Sequence, residues 1–283
     1  FGFLDGGRGI VAASMGSIGV FVFSIVLTND IESASVLERQ EAFRYVILLS
    51  SFMVAFIGLL VLIFLRNSND KNTNVEMPLN TLTNIKGVLK NESIWLLMLI
   101  IMCAYVGYKV TDIYSLYASE VMLYDQIEAA EVGALQLYLR PIVCIAIGLL
   151  ADRTKNMFWI IFGFTFMLIG ALIFSFGFIK PEMNLIFFMS LVILAVGTYS
   201  IRALYFAVLK EANIAFALTG TAVGIISVVG YSPDIFAGPI MGYLLDKNPG
   251  VVGHQYVYFM LVIFSIIGLI ASIRFARLTK PSA

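Results

Sequence analysis

Residues 156–178, NMFWIIFGFTFMLIGALIFSFGF, contain no charged side chain. A helix needs about 20 consecutive apolar residues to cross a hydrocarbon core, so this run is read as a membrane span. Glycines recur through it at positions 163, 170 and 177, a spacing of seven that places a packing seam on one side. Working outward, seven further runs of this kind stand at 9–28, 43–65, 94–118, 132–151, 184–209, 217–245 and 255–276. The whole chain of 283 residues is 60% hydrophobic and 13% charged, with a mean hydropathy of +0.94. Soluble domains carry about 25% charged residues. The fold class is therefore an all-α polytopic membrane protein with eight transmembrane helices.

The remaining sequence is connection. The longest connection, RNSNDKNTNVEMPLNTLTNIKGVLKNES (66–93), is polar and marks the boundary between two halves. This divides the chain into residues 1–66, a central linker at 67–93, and 94–283. Lys and Arg balance Asp and Glu at 18 each, so orientation depends on their placement. Arg8, Arg66, Lys71, Lys86, Lys90, Arg153, Lys155, Lys210, Arg274, Arg277 and Lys280 fall on one side; Arg39, Arg44, Lys180 and Lys247 fall on the other. The positive-inside rule makes the first side cytoplasmic, together with the linker and the C-terminus. The acidic connection EVMLYDQIEAAE (120–131) lies opposite.

Two spans echo each other. RGIVAASMGSIG (8–19) aligns without a gap on TGTAVGIISVVG (219–230), matching Gly9 with Gly220, Ala13 with Gly224 and Gly19 with Gly230. Close helix packing alone can produce such a match, but repeats of this kind also build transporters, with the substrate between them. The chain starts at Phe1 rather than Met, and the second copy follows four spans of its own half. Equivalent halves then imply four helices, on the order of 120 residues, ahead of Phe1. The intact protein is expected to hold twelve spans as six plus six, with helices five to twelve present here.

That arrangement, with its long cytoplasmic linker, resembles the major facilitator superfamily. GLLADRTKN (148–156) is similar to the Gly…Asp-Arg loop after the second helix of each half in that family, with Lys155 and Asn156 replacing its usual ending. The resemblance implies that Asp152 and Arg153 brace neighbouring helices and gate the inner mouth. Within the superfamily, DIYSLYASEV (112–121) and GTAVGIISVVGY (220–231) resemble the seventh and eleventh helices of the organophosphate:phosphate antiporter branch. That branch's phosphate-binding arginine would fall at Gly107, with Lys109 two residues later. The departure leaves an anionic substrate as the broader expectation.

Charge at bilayer depth costs about 2.5–3.5 kcal/mol on insertion scales, so it faces a cavity or a partner. Lys109, Asp112, Arg140, Arg202 and Asp234 are such groups, on the inferred seventh, eighth, tenth and eleventh helices. In the facilitator family the seventh and tenth helices line the cavity and the eighth and eleventh flank it. Tyr105, Lys109 and Asp112 share one helical stripe. Either Lys109 and Asp112 neutralise each other, or Lys109 and Tyr105 hold an anion. Arg140 precedes Pro141, whose ring frees a carbonyl one turn back, and its structural and ligand-binding readings stand level. Arg202 has Tyr205 three residues on, and its guanidinium suits an oxyanion or a structural carboxylate. Asp234 sits where Gly230, Pro233, Gly238 and Pro239 break regular helix; it is a structural partner of Lys109 or Arg140, or an outer-gate hinge.

Cys103 and Cys144 lie inside apolar runs as packing residues, and His254 is expected in a solvated connection. No phosphate-cradling loop, metal-ligand spacing or nucleophile–base pair occurs, so neither an enzyme nor a cofactor is expected. The sequence-level reading is a secondary active transporter for a small anionic organic solute. The site comprises Lys109, Tyr105, Arg202, Tyr205 and Arg140; Asp112, Asp234, Asp152 and Arg153 serve in proton coupling or gating. Its partners are the solute, protons and the bilayer, with no nucleic acid, and the protein is monomeric in the cell membrane. The alternative is a non-transporting sensor of the same fold.

Overall fold

The structure, a computed structural model, describes residues 2–26, 35–64, 81–212 and 218–279. Positions 65–80 of the central linker, with Arg66 and Lys71, lie outside them, as does Lys280. The described residues form helices α1 (Gly2–Val26), α2 (Val36–Phe64), α3 (Thr81–Leu89), α4 (Glu92–Val110), α5 (Tyr114–Glu120), α6 (Gln126–Asp152), α7 (Asn156–Ser175), α8 (Asn184–Leu204), α9 (Thr219–Gly230), α10 (Pro233–Lys247) and α11 (Val251–Leu278). A 3₁₀ turn at Thr111–Ile113 joins α4 to α5 as one span, and α9 with α10 makes another. Among the described residues, eight spans are long and apolar enough to cross a membrane. The chain is an all-α polytopic membrane protein.

Several helices outrun their apolar runs because polar residues start them. Ser35 and Glu38 form a capping box at the head of α2, the Ser35 amide donating to Glu38 at 2.8 Å and the Glu38 amide to Ser35 Oγ at 3.3 Å. Asp125 and Glu128 repeat the device before α6, at 3.2 and 2.8 Å. Asn91 caps α4 by accepting from the Ser93 amide at 3.0 Å. The second half of the acidic connection at 120–131 thus becomes the first turns of α6.

Two compact units divide the chain, Phe1–Ile10 with Met77–Ala283, and Val11–Glu76. In the second unit, Ala42 of α2 is buried against Phe23 and Val26. In the first, α7 packs on α8 and α11, α4 on α11 and α9, and α6 on α8. The α7–α8 contact is a glycine seam. A Cβ on Gly197 would lie 2.5 Å from the Met167 amide nitrogen and 2.7 Å from the Gly163 carbonyl oxygen, so only hydrogen fits. Gly170 faces Leu194 in the same seam. Gly177 does not belong to it: it follows the end of α7 with φ +67 and turns the chain out of the helix. Its amide donates to the Phe174 carbonyl at 3.2 Å.

Hydroxyls inside the bundle bond to their own helices, as with Ser265 to Leu261 and Ser272 to Gly268, both at 2.7 Å. No lipid could supply those partners. Away from the expected site, Tyr117 anchors an aromatic cluster, stacked on Phe187 at 5.7 Å and edge-on to Phe174, His254 and Tyr258.

His254 corrects its sequence reading. It stands in the first turn of α11, fully buried, with Nε2 3.0 Å from Glu120 Oε2. The turn Asn248–Gly250 is short enough that α11 starts at once and points the ring into Tyr117 rather than into water.

Candidate functional site

The C-terminal end of α4 and the 3₁₀ turn after it supply one polar stripe. Tyr105, Tyr108, Lys109 and Asp112 follow one another at helical spacing, and each meets a group from another element or from its own next turn. Lys109 Nζ lies 2.9 Å from Asp112 Oδ2 and 3.7 Å from Asp234 Oδ1. The side chains of Asp112 and Asp234 are 48% and 52% exposed, that of Lys109 only 24%. The ammonium is thus set below two carboxylates and shared between them. Tyr105 donates its hydroxyl proton to Asp234 Oδ2 at 3.0 Å.

The helix break beside Asp234 is placed differently from the sequence expectation. The α9–α10 break falls at Tyr231 and Ser232, and α10 then runs through Gly238 and Pro239 without interruption. Pro233 occupies the first helical position, where its missing N–H costs no intrahelical bond. Asp234 follows it in the first turn, where a carboxylate is favoured by the helix dipole. The chain therefore bends between two helices, and Pro233 starts the second.

Arg202, near the end of α8, lies over the Tyr108 ring at 3.8 Å and over that of Tyr105 at 5.5 Å. Its Nε and Nη1 are buried and have no hydrogen-bond partner among the described residues. Arg140, 7% exposed, approaches the same Tyr108 ring at 5.7 Å. One tyrosine thus holds two guanidinium groups by cation–π attraction. Tyr205 lies just past the end of α8, and its hydroxyl meets that of Tyr231 at 3.2 Å. Tyr231 in turn packs edge-on to Tyr105 at 5.0 Å.

The structure therefore brings together Tyr105, Lys109, Asp112, Arg140, Arg202, Tyr205 and Asp234. Tyr108 and Tyr231 are the residues that join them, and sequence reasoning missed both. The signal for Tyr108 was available, since it lies three residues after Tyr105 and four before Asp112. Asp152 and Arg153 are elsewhere, exposed at the end of α6, with no side-chain bond among the described residues. Gly107 faces away from the site: a Cβ there would strike Met167 Sδ and approach Thr198 Oγ1 at 3.3 Å. A long cation has no room at 107, whereas Lys109 lies on the polar stripe.

Behind this stripe, Tyr199 donates to Gln136 Oε1 at 2.7 Å, and Cys144 Sγ donates to the Tyr199 carbonyl at 3.7 Å. Among the described residues no group of three or more His, Cys, Asp or Glu side chains is placed to hold a metal.

Two guanidinium groups thus share a tyrosine floor, and a lysine lies between two carboxylates. The class thus defined is a multi-pass membrane protein with a charged, aromatic site inside its helical bundle. Two Escherichia coli (strain K12) proteins are similar to it. Inner membrane protein YihN is 25% identical over 284 residues, covering 98% of this chain and 65% of its own length. Inner membrane protein YqcE is 23% identical over 267 residues, covering 92% and 60% respectively. The chain thus spans less than two thirds of either relative. No family model and no solved structure matches it.

Proposed function

We propose that the chain is part of a secondary active transporter of the major facilitator type, residing in an inner membrane and carrying a small organic anion. The observation that carries this reading is Arg202, whose guanidinium is held on Tyr108 while Nε and Nη1 remain buried without partners. Buried donors of this kind are costly unless something accepts from them, and an oxyanion is the acceptor that a guanidinium fits best. Arg140 on the same ring adds a second positive group, and the hydroxyls of Tyr205 and Tyr231 offer hydrogen bonds to the solute's polar body.

The shared ammonium gives the coupling step. One lysine serves two acids, Asp112 and Asp234, and charged groups at this depth are where carriers couple transport to protons. Breaking the Lys109–Asp234 pair, the one of the two that crosses between helices, would loosen α10 from α4. Rocking of the two halves would then alternate access, as in repeat-built carriers. In this reading the C-terminus is cytoplasmic, following the positive-inside pattern, and exchange of one anion for another uses the same cations. The location is supported by the two inner membrane relatives.

The test is uptake by the full-length protein in proteoliposomes, offered carboxylate, phosphate-ester and sulfonate solutes with and without an imposed pH gradient. Uptake of one class that Arg202→Ala abolishes supports the reading. Failure of all three classes, or full uptake by Arg202→Ala, overturns it.

A further inference from the structure

A cavity lies at the end of the bundle where α6 passes into α7 and α11 terminates. It measures about 660 Å³ and is lined by Lys155, Arg277, Glu211, Phe158, Ile161 and Ile273, among others. This volume is within the roughly 300–1,000 Å³ of ligand sites. Its lining is split between apolar side chains and three charged ones, two cations and one acid. Lys155 and Arg277 are both exposed and make no ion pair among the described residues. Glu211 accepts from the Asn156 amide at 3.4 Å. Burial raises the pKa of that carboxyl, against the opposing field of Lys155.

The surroundings of the cavity have the character of a water–lipid boundary. Trp159, one turn into α7, donates its indole N–H to Thr154 Oγ1 at 2.8 Å and so faces the polar loop, as interfacial tryptophans do. Phe158 beside it is 59% exposed, and Ile273 on α11 is exposed too. A ligand filling this space would therefore have an anionic, hydroxylated head beside Lys155, Arg277 and Glu211 and a hydrocarbon tail along α7 and α11. The lining charges sum to one positive, which a single phosphodiester neutralises.

We infer that this cavity binds an anionic phospholipid of the phosphatidylglycerol type. Its phosphate lies between Lys155 and Arg277, its glycerol hydroxyls donate to Glu211, and one acyl chain covers Phe158, Ile161 and Ile273. Basic pockets between membrane helices recognise anionic headgroups in this way. The site is separate from the Arg202 cluster, and it stands whether or not the protein transports an anion.

The test is native mass spectrometry of the full-length protein in detergent, titrated with dioleoyl phosphatidylglycerol, phosphatidylethanolamine and phosphatidylcholine in parallel. Phosphatidylglycerol should be retained best. Lys155→Gln and Arg277→Gln should each weaken it about fivefold and together about thirtyfold, while Lys180→Gln, in the connection after α7, leaves it unchanged. Glycerol phosphate should not compete at equal concentration, because it lacks the tail. Circular dichroism confirms that the variants are folded. Equal retention of the three lipids, or no loss in the double variant, overturns the inference. So does preferential binding of phosphatidylethanolamine that Glu211→Gln removes, because Glu211 would then hold an ammonium group. None of these outcomes alters the uptake expected of the Arg202 site, so the two proposals fail separately.

Discussion

The hydroxyl of Tyr105 donates to Asp234 across 3.0 Å and so joins the C-terminal part of α4 to the first turn of α10. The same carboxylate faces Lys109 at 3.7 Å, which makes Asp234 the point where the two helices are held by charge as well as by packing. A double-mutant cycle of Tyr105→Phe and Asp234→Asn, read by thermal unfolding in detergent, should give a coupling of about 0.5–1 kcal/mol, the low end for a half-exposed bond. Asp234→Asn should also flatten the pH dependence of uptake. Unchanged pH dependence would assign Asp234 to structure alone.

Tyr108 and Arg202 should behave as a pair. Tyr108→Phe keeps the ring and should keep most uptake, whereas Tyr108→Leu removes the cation–π surface and should reduce uptake several-fold. Arg202→Lys retains charge without the forked donors and should fall between wild type and Arg202→Ala. Initial rates across these four variants check the order.

The α7–α8 seam should tolerate no side chain. Gly197→Ala would push Cβ into the backbone of Met167 and Gly163, which overpacking data value at about 1–3 kcal/mol. A melting temperature lowered by several degrees is expected. Gly220→Ala, in open space on α9, should leave it nearly unchanged.

Glu211 gives a pH signature. Burial raises its carboxyl pKa in the folded protein above the ordinary 4.5, so the folded state holds the proton more tightly than the unfolded chain. The charged form then opposes folding above the folded pKa, and this penalty fades as the pH falls toward 4.5. Glu211→Gln should therefore melt above wild type at pH 8, and the difference should close on acidification. A difference that grows on acidification would reverse the assignment.

The spans were legible because lipid imposes a length and an apolar composition that no connection here imitates, as residues 156–178 illustrate. Lys109, Asp112 and Asp234 were legible for the complementary reason: charge is rare at that depth and has to be met. What the sequence concealed depends on neighbours distant in the chain. Tyr108 looks like any apolar-span aromatic until Arg140 and Arg202 arrive from two other helices. His254 looks solvated until Tyr117 and Glu120 close over it. Pro233 reads as a helix breaker, and only the turn at Tyr231 and Ser232 reveals that it begins a helix. Gly177 continued a spacing of seven by count, but α7 had already ended.

The two tryptophans of the chain both stand near helix starts at one end of the bundle. Trp95 donates to the Leu89 carbonyl and Trp159 to Thr154, each at 2.8 Å. That end also holds the Arg274–Glu92 ion pair and the lipid-sized cavity. The tyrosines of the charged site, by contrast, gather in mid-bundle around Arg202. Intrinsic emission excited at the red edge will thus report on the boundary region and its lipids while remaining blind to solute arriving at Tyr108. A brominated acyl chain should dim it, and the solute should not. The molecule carries its own optical label for one of its two candidate sites.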